Sequence, residues 1–180
     1  MWVFGYGSLL WNPGFTPAAV VPARLDGWQR SFCMLSIHYR GTAEEPGLVL
    51  ALDRAAGATC DGLALQVAAG EEAQVLAYLR ARELISDAYL EEHLPVTLAD
   101  GAQVNAVTYV INRANAQYCH LSVDAQAEII ARAAGEKGPN CDYLYNTAAH
   151  LGSMGVADPV MEALVTRVRH LRAEPAAAKR

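Results

Sequence analysis

Residues 2–11 read WVFGYGSLLW. Trp, Val and Phe suit a pleated, half-buried surface, so the run predicts a short buried strand over 2–6 that stops where the glycines begin. Gly5 and Gly7 can take backbone angles closed to other residues. A loop of this kind can turn several N–H groups inward and form an anion-binding nest. Ser8 adds a hydroxyl and Tyr6 a phenol. The same residues also suit a plain tight turn that lets the strand bend, and composition alone does not separate the two readings. The stretch lacks G-x-G-x-x-G and no convincing helix follows it, so a dinucleotide site is not expected.

Outward from this strand the first third reads as β-structure. "VVPARLDGWQRSFCMLSI" at 20–37 fits two strands with a turn near Asp26-Gly27. "GLVLAL" at 47–52 and "CDGLALQVA" at 60–68 fit two further short strands. The period then changes. "GEEAQVLAYLRARE" at 70–83 is rich in helix formers and predicts a helix. Strands resume at 89–98 and 102–111, joined by the hairpin signal Asp100-Gly101. Helices are expected over 122–134, with Ser122 as N-cap, and over 140–154 and 158–172. This order predicts a mixed α+β fold: a small, largely antiparallel β-barrel with flanking helices. A single domain is expected over 1–172, with a frayed tail at 173–180.

Bulk composition narrows the function. The chain has 180 residues, 53% apolar and 18% charged, with 14 basic against 19 acidic residues and a formal net charge of −5. No basic stripe is present, so no nucleic-acid partner is expected. No run approaches the ~18 apolar residues of a membrane span, and no positive segment precedes an apolar one at the N-terminus. The cytoplasm is the expected compartment, and no obligate protein partner is evident. Cys33, Cys60, Cys119 and Cys141 form no C-x-x-C pair and read as ordinary buried or half-buried thiols. The five histidines show no metal-ligand spacing, so neither metal nor other cofactor is expected.

The helix at 70–83 holds the residue that points to chemistry. Val75, Leu76 and Leu79 form its apolar stripe, and Glu83 continues the ridge at i+4 from Leu79. A carboxylate where an apolar residue is expected lies either at a pocket mouth or in the core with a partner. Burial would raise its pKa toward neutrality and suit it as a general base. The alternatives are an ion pair with Arg82, Arg80 or Arg40, or a helix end reaching solvent. "YRGTAEEPG" at 39–47 places Arg40 on a glycine-containing loop, or on an exposed turn. "GPNCDYLYN" at 138–146 offers Tyr143 as a pocket-lining aromatic, or as packing at a helix head.

Four stretches in this order, "VFGYGSLLWNPGF", "RGTAEEPG", "YLRARE" and "GPNCDYLYN", resemble the ChaC family of glutathione-specific γ-glutamylcyclotransferases. The resemblance runs from residue 2 to about residue 170, and the bacterial branch looks nearest. It implies a γ-glutamylcyclotransferase-like barrel and cleavage of glutathione into 5-oxoproline and cysteinylglycine without cofactor. It implies that Tyr6, Gly7 and Ser8 cradle the γ-glutamyl group and that Glu83 is catalytic. The loop from Gly5 to Leu9 would grip the substrate through backbone N–H groups, Arg40 would meet a carboxylate, and Tyr143 would wall the pocket. Two departures bear on the pocket's edge. Tyr39 stands where many relatives have histidine, and "LISDAY" at 84–89 where many have a glycine pair. A cyclotransferase for other γ-glutamyl amines or dipeptides, and a non-catalytic regulator of cation transport, are the competing readings.

Overall fold

The computed structural model describes residues 1–173, and most of the expected tail lies outside them. The elements are β1 (Trp2–Gly5), β2 (Ala19–Ser36), β3 (Gly47–Gln66), α1 (Glu72–Glu83), β4 (Tyr89–Leu98), β5 (Gln103–Ile111), α2 (Val123–Arg132), β6 (Ala134–Gly135), β7 (Gly138–Pro139), α3 (Asn140–Ser153) and α4 (Pro159–Ala173). A 3-10 turn, Ser8–Leu10, follows β1. Five strands close a barrel in the order β1-β3-β2-β4-β5, with β5 also paired to β1 and β3.

Most pairings are antiparallel, as expected: β1 with β3, β2 with β4, and β4 with β5. Closure instead uses parallel pairs, Trp2↔Ala106 and Val3↔Val107, and Leu52↔Val110. Short local patterns do not report such long-range pairings. The hairpin at Asp100-Gly101 forms as expected, and its register runs from Tyr89↔Ile111 through Thr97↔Gln103.

Two expectations are corrected. Residues 20–37 do not reverse at Asp26-Gly27, and residues 47–52 and 60–68 are not separate strands. β2 and β3 each run unbroken for 18 and 20 residues. Gly27 and Gly57 have φ of +80° and +77° inside them, so the turn-like residues bend a continuous strand rather than end it.

The chain divides into two compact units, Met1–Ser31 with Leu50–Tyr118, and Phe32–Val49 with Cys119–Arg180. In the first, α1 lays Val75 and Leu79 on Val3 of β1, Leu65 of β3, Val67, and Val107 and Tyr109 of β5; Leu9 joins the same cluster. Leu79 is wholly buried. That packing fixes where the helix ends relative to the loop after β1.

The second unit holds α2, α3 and α4. Ser122 caps α2 as expected, accepting from the Ala125 N–H at 3.3 Å. Asn140, wholly buried at the head of α3, accepts from the Leu48 N–H and donates to the Leu48 carbonyl, both at 2.7 Å. One amide thus satisfies both polar groups of a buried peptide segment. Among the described residues no helix is long and apolar enough to cross a membrane. Among the described residues no cysteine forms a disulfide; Cys33, Cys60 and Cys141 are buried and Cys119 is half-buried.

Candidate active site

β1 stops at Gly5 because the backbone needs room there. A Cβ on Gly5 would lie 3.0 Å from the Leu9 Cβ, so the chain folds back on itself closely. Neither Gly5 nor Gly7 has a positive φ; Gly7 sits at φ −130°, ψ −124°. Neither glycine uses a left-handed conformation, and close approach to Leu9 is the demand that Gly5 meets.

The turn itself is held at several points. The Leu10 N–H donates to the Gly7 carbonyl at 2.9 Å, and the Asn12 N–H to the Ser8 carbonyl at 2.9 Å. Among the described residues no backbone acceptor meets the N–H groups of Gly7, Ser8 and Leu9. They open the turn and are the donors that a nest requires. The Tyr6 phenol is turned into the barrel and donates to the Tyr109 carbonyl at 2.7 Å, so it is committed to the scaffold. Leu9 is likewise core, leaving its backbone as the part a ligand can use.

Two arginines bracket the loop. Arg30 of β2 donates from Nε to the Tyr6 carbonyl at 2.7 Å, and from Nη2 to the Asp61 carbonyl. Arg82 of α1 donates from Nη2 to the Ser8 hydroxyl at 2.8 Å and from Nη1 to the Asn12 carbonyl at 2.6 Å. The last turn of α1 and the Tyr-Gly-Ser loop are therefore joined directly.

Glu83 closes that helix, continuing the Val75–Leu79 ridge. Its side chain is 15% exposed, and Oε1 lies 3.0 Å from Arg82 Nε. Oε1 is buried and has no hydrogen-bond partner among the described residues, so the ion pair lacks hydrogen-bond alignment. Burial pushes the Glu83 carboxyl up from its ordinary value, while the Arg82 charge pulls it back. The C-terminal end of α1 also disfavours a negative charge. Of the alternatives posed by the sequence, the core position and the Arg82 ion pair both hold, and Arg80 instead pairs with Glu91 at 2.7 Å. A buried carboxylate with one unsatisfied oxygen is equipped to accept a proton from a bound amine.

Arg40 and Tyr143 meet in the second unit. The Arg40 guanidinium lies 5.8 Å from the Tyr143 ring centre and donates from Nη1 to the Pro139 carbonyl at 3.0 Å. Its loop is tight, since a Cβ on Gly41 or Gly47 would collide with the backbone of the opposite limb. Burial draws the Arg40 guanidinium down, against the raising effect of Asp142. Arg40 is thus a held cation rather than a free surface group. Tyr143 is buried and packs edge-on against Phe32 at 6.1 Å, so the aromatic-packing reading of that residue is observed.

Sequence reasoning underrated Arg82. It entered only as a possible partner of Glu83, and the i, i+1 spacing gives no sign of a shared task.

The raised Glu83 carboxyl has a consequence for stability. A folded-state pKa above the unfolded value of about 4.3 favours folding below that value, and the benefit is lost as pH rises through the folded pKa. The Glu83→Gln variant should therefore melt above wild type at pH 8 and level with it near pH 4, by calorimetry. An equal difference at both pH values would mean that the carboxylate's charge is not its source.

Residues 1–171 match the family described as ChaC-like protein. The glutathione-specific γ-glutamylcyclotransferase of Escherichia coli K12 is 34% identical, covering 97% of this chain and 75% of that protein. Gamma-glutamylcyclotransferase 2-3 of Arabidopsis thaliana is 32% identical over 97% of this chain and 91% of its own length. The crystal structure of a yeast γ-glutamylcyclotransferase specific to glutathione superposes with a TM-score of 0.88 at 22% identity, covering 98% of each chain. That likeness establishes the fold. The family match and the sequence relatives together place the chain: it belongs to the ChaC-like protein family.

Proposed function

We propose that this protein is a glutathione-specific γ-glutamylcyclotransferase that works in the cytoplasm without metal or other cofactor. The observation that carries the reading is the buried Glu83 carboxyl with an unsatisfied Oε1, at the end of a helix joined to the Tyr-Gly-Ser loop. Membership of the ChaC-like family and the names of its relatives supply the substrate class.

The chemistry is an internal attack. The α-amine of the glutamyl group attacks its own γ-carbonyl carbon and forms a C–N bond, closing a five-membered ring. The amine's proton passes to the Glu83 carboxylate. The bond from the γ-carbon to the cysteinyl nitrogen then breaks, and Glu83 returns the proton to that nitrogen. The substrate supplies the nucleophile, so no Ser or Cys nucleophile is required and no water is consumed.

A base that is ordinarily weak gains from burial, because a pKa nearer neutrality raises its proton affinity. The flexible glutamyl chain must also be held bent, and such positioning can contribute ~7–11 kcal/mol in favourable intramolecular cases. The N–H groups of Gly7, Ser8 and Leu9 are the proposed grip on the α-carboxylate and the developing oxyanion. Arg40 is the proposed partner of the glycine carboxylate of glutathione, and Tyr143 a wall of the pocket. The exposed Leu84 and Ile85, directly after Glu83, favour a second reading in which an apolar γ-glutamyl amine is the better substrate.

The purified protein in EDTA should convert glutathione into equal amounts of 5-oxoproline and cysteinylglycine, read by mass spectrometry. Faster turnover of apolar γ-glutamyl amines would select the second reading, and no 5-oxoproline from any γ-glutamyl compound would reject both. Arg40→Ala should raise KM for glutathione about tenfold, since a hydrogen bond to a charged group is worth ~1.5–3 kcal/mol. A γ-glutamyl amine lacking that carboxylate should be nearly unaffected. Equal losses on both substrates would assign Arg40 to the scaffold instead.

A further inference from the structure

Every polar edge of the Arg82 guanidinium in the described structure meets a group of the candidate site. Nε faces Glu83 Oε1 at 3.0 Å, Nη2 donates to Ser8 Oγ at 2.8 Å, and Nη1 donates to the Asn12 carbonyl at 2.6 Å. The side chain is 17% exposed; its contact with Ser8 is part-buried and its contact with Asn12 lies at the surface. We infer that Arg82 is a positioning residue that sets the ionisation of Glu83 and, through the same guanidinium, orients the Ser8 hydroxyl toward substrate. This rests on the cyclotransferase reading of the site.

Three features carry the inference. Among the described residues, Arg82 is the one cation within ion-pair distance of Glu83. The other group facing that carboxylate is Tyr109 of β5, whose hydroxyl donates to Glu91 Oε2 at 3.3 Å; Glu91 is in turn bound by Arg80. Tyr109 and its partners are thus occupied with one another, and the balance at Glu83 lies between burial and Arg82. Second, because the Ser8 oxygen accepts from Arg82, its own proton is left to be donated elsewhere. A bound γ-glutamyl carboxylate or oxyanion is the acceptor class that such a donor suits. Third, the contacts radiate from a planar fork. A lysine ammonium supplies the charge but cannot span three acceptors in fixed directions.

Charge and geometry can therefore be separated by substitution. Arg82→Gln removes the charge, and Arg82→Lys keeps it while losing the fork. Two readouts are needed. The first is the carbon-13 NMR titration of the Glu83 carboxyl without substrate, the signal being assigned by its loss in Glu83→Gln. The second is the pH profile of kcat/KM for glutathione.

In Arg82→Gln the Glu83 midpoint should move up by about one pH unit or more, as expected when an opposite charge in contact is removed. The acid limb of kcat/KM should move with it. In Arg82→Lys the midpoint should stay within a few tenths of a unit, while KM rises at least fivefold and kcat falls less. Ser8→Ala should raise KM to a similar extent, and adding Arg82→Lys to it should cause little further loss.

An unmoved midpoint in Arg82→Gln would overturn the inference, as would a wild-type KM in Arg82→Lys. If Arg82→Gln fails to fold by circular dichroism, the lysine variant decides alone on its KM. If the wild-type protein yields no 5-oxoproline from glutathione or any other γ-glutamyl compound, the cyclotransferase reading fails, and the NMR arm still decides whether Arg82 sets the ionisation of Glu83.

Discussion

Glu83 lies one helical turn beyond the wholly buried Leu79, and burial there raises the free energy of its ionised form. The first unit is organised around that penalty. Val75 and Leu79 anchor α1 in the hydrophobic core that also holds Leu9 of the loop after β1. Arg82 offsets part of the penalty, and it does so while holding Ser8 and Asn12 of that loop. Glu83, its counter-charge and the loop after β1 thus meet at one helix terminus.

The loop is rigid for reasons other than those its glycines first suggest. Gly5 permits close approach to Leu9, and Tyr6 is held at its carbonyl by Arg30 and at its hydroxyl by the Tyr109 carbonyl. Leu9 is fixed by the same core that fixes α1. Donors fixed in place before substrate arrives need no reorganisation when charge develops, which is how such groups stabilise a transition state. The two flanking guanidiniums also bias the loop toward anions.

Much of this was legible in the residues. β1, the hairpin at Asp100-Gly101, α1 and the Ser122 cap follow from local pattern, and the ridge Val75–Leu79–Glu83 marked the unusual carboxylate. The long strands β2 and β3 were not legible, because Asp26-Gly27 carries the same local signal for a turn and for a bend within a strand. The parallel closure of β1 and β3 on β5 rests on contacts distant in sequence, which no window of residues contains. Arg82 was hidden by adjacency: helical spacing separates neighbours, and only the position of Ser8 in space gives its guanidinium a purpose. The inward turn of the Tyr6 phenol was hidden for the same reason, since its acceptor is a carbonyl 103 residues away.

The central claim is that the Glu83 carboxylate takes the proton from the attacking amine. Single-turnover conversion of glutathione by the Glu83→Gln variant, with 5-oxoproline binding measured in parallel by calorimetry, tests it most directly. The account predicts product affinity close to wild type with ring closure slowed at least a hundredfold, in line with the ~10²–10⁴ contributed by a positioned base. A variant that keeps more than about a tenth of the wild-type rate, a barrier change below roughly 1.4 kcal/mol, would contradict it.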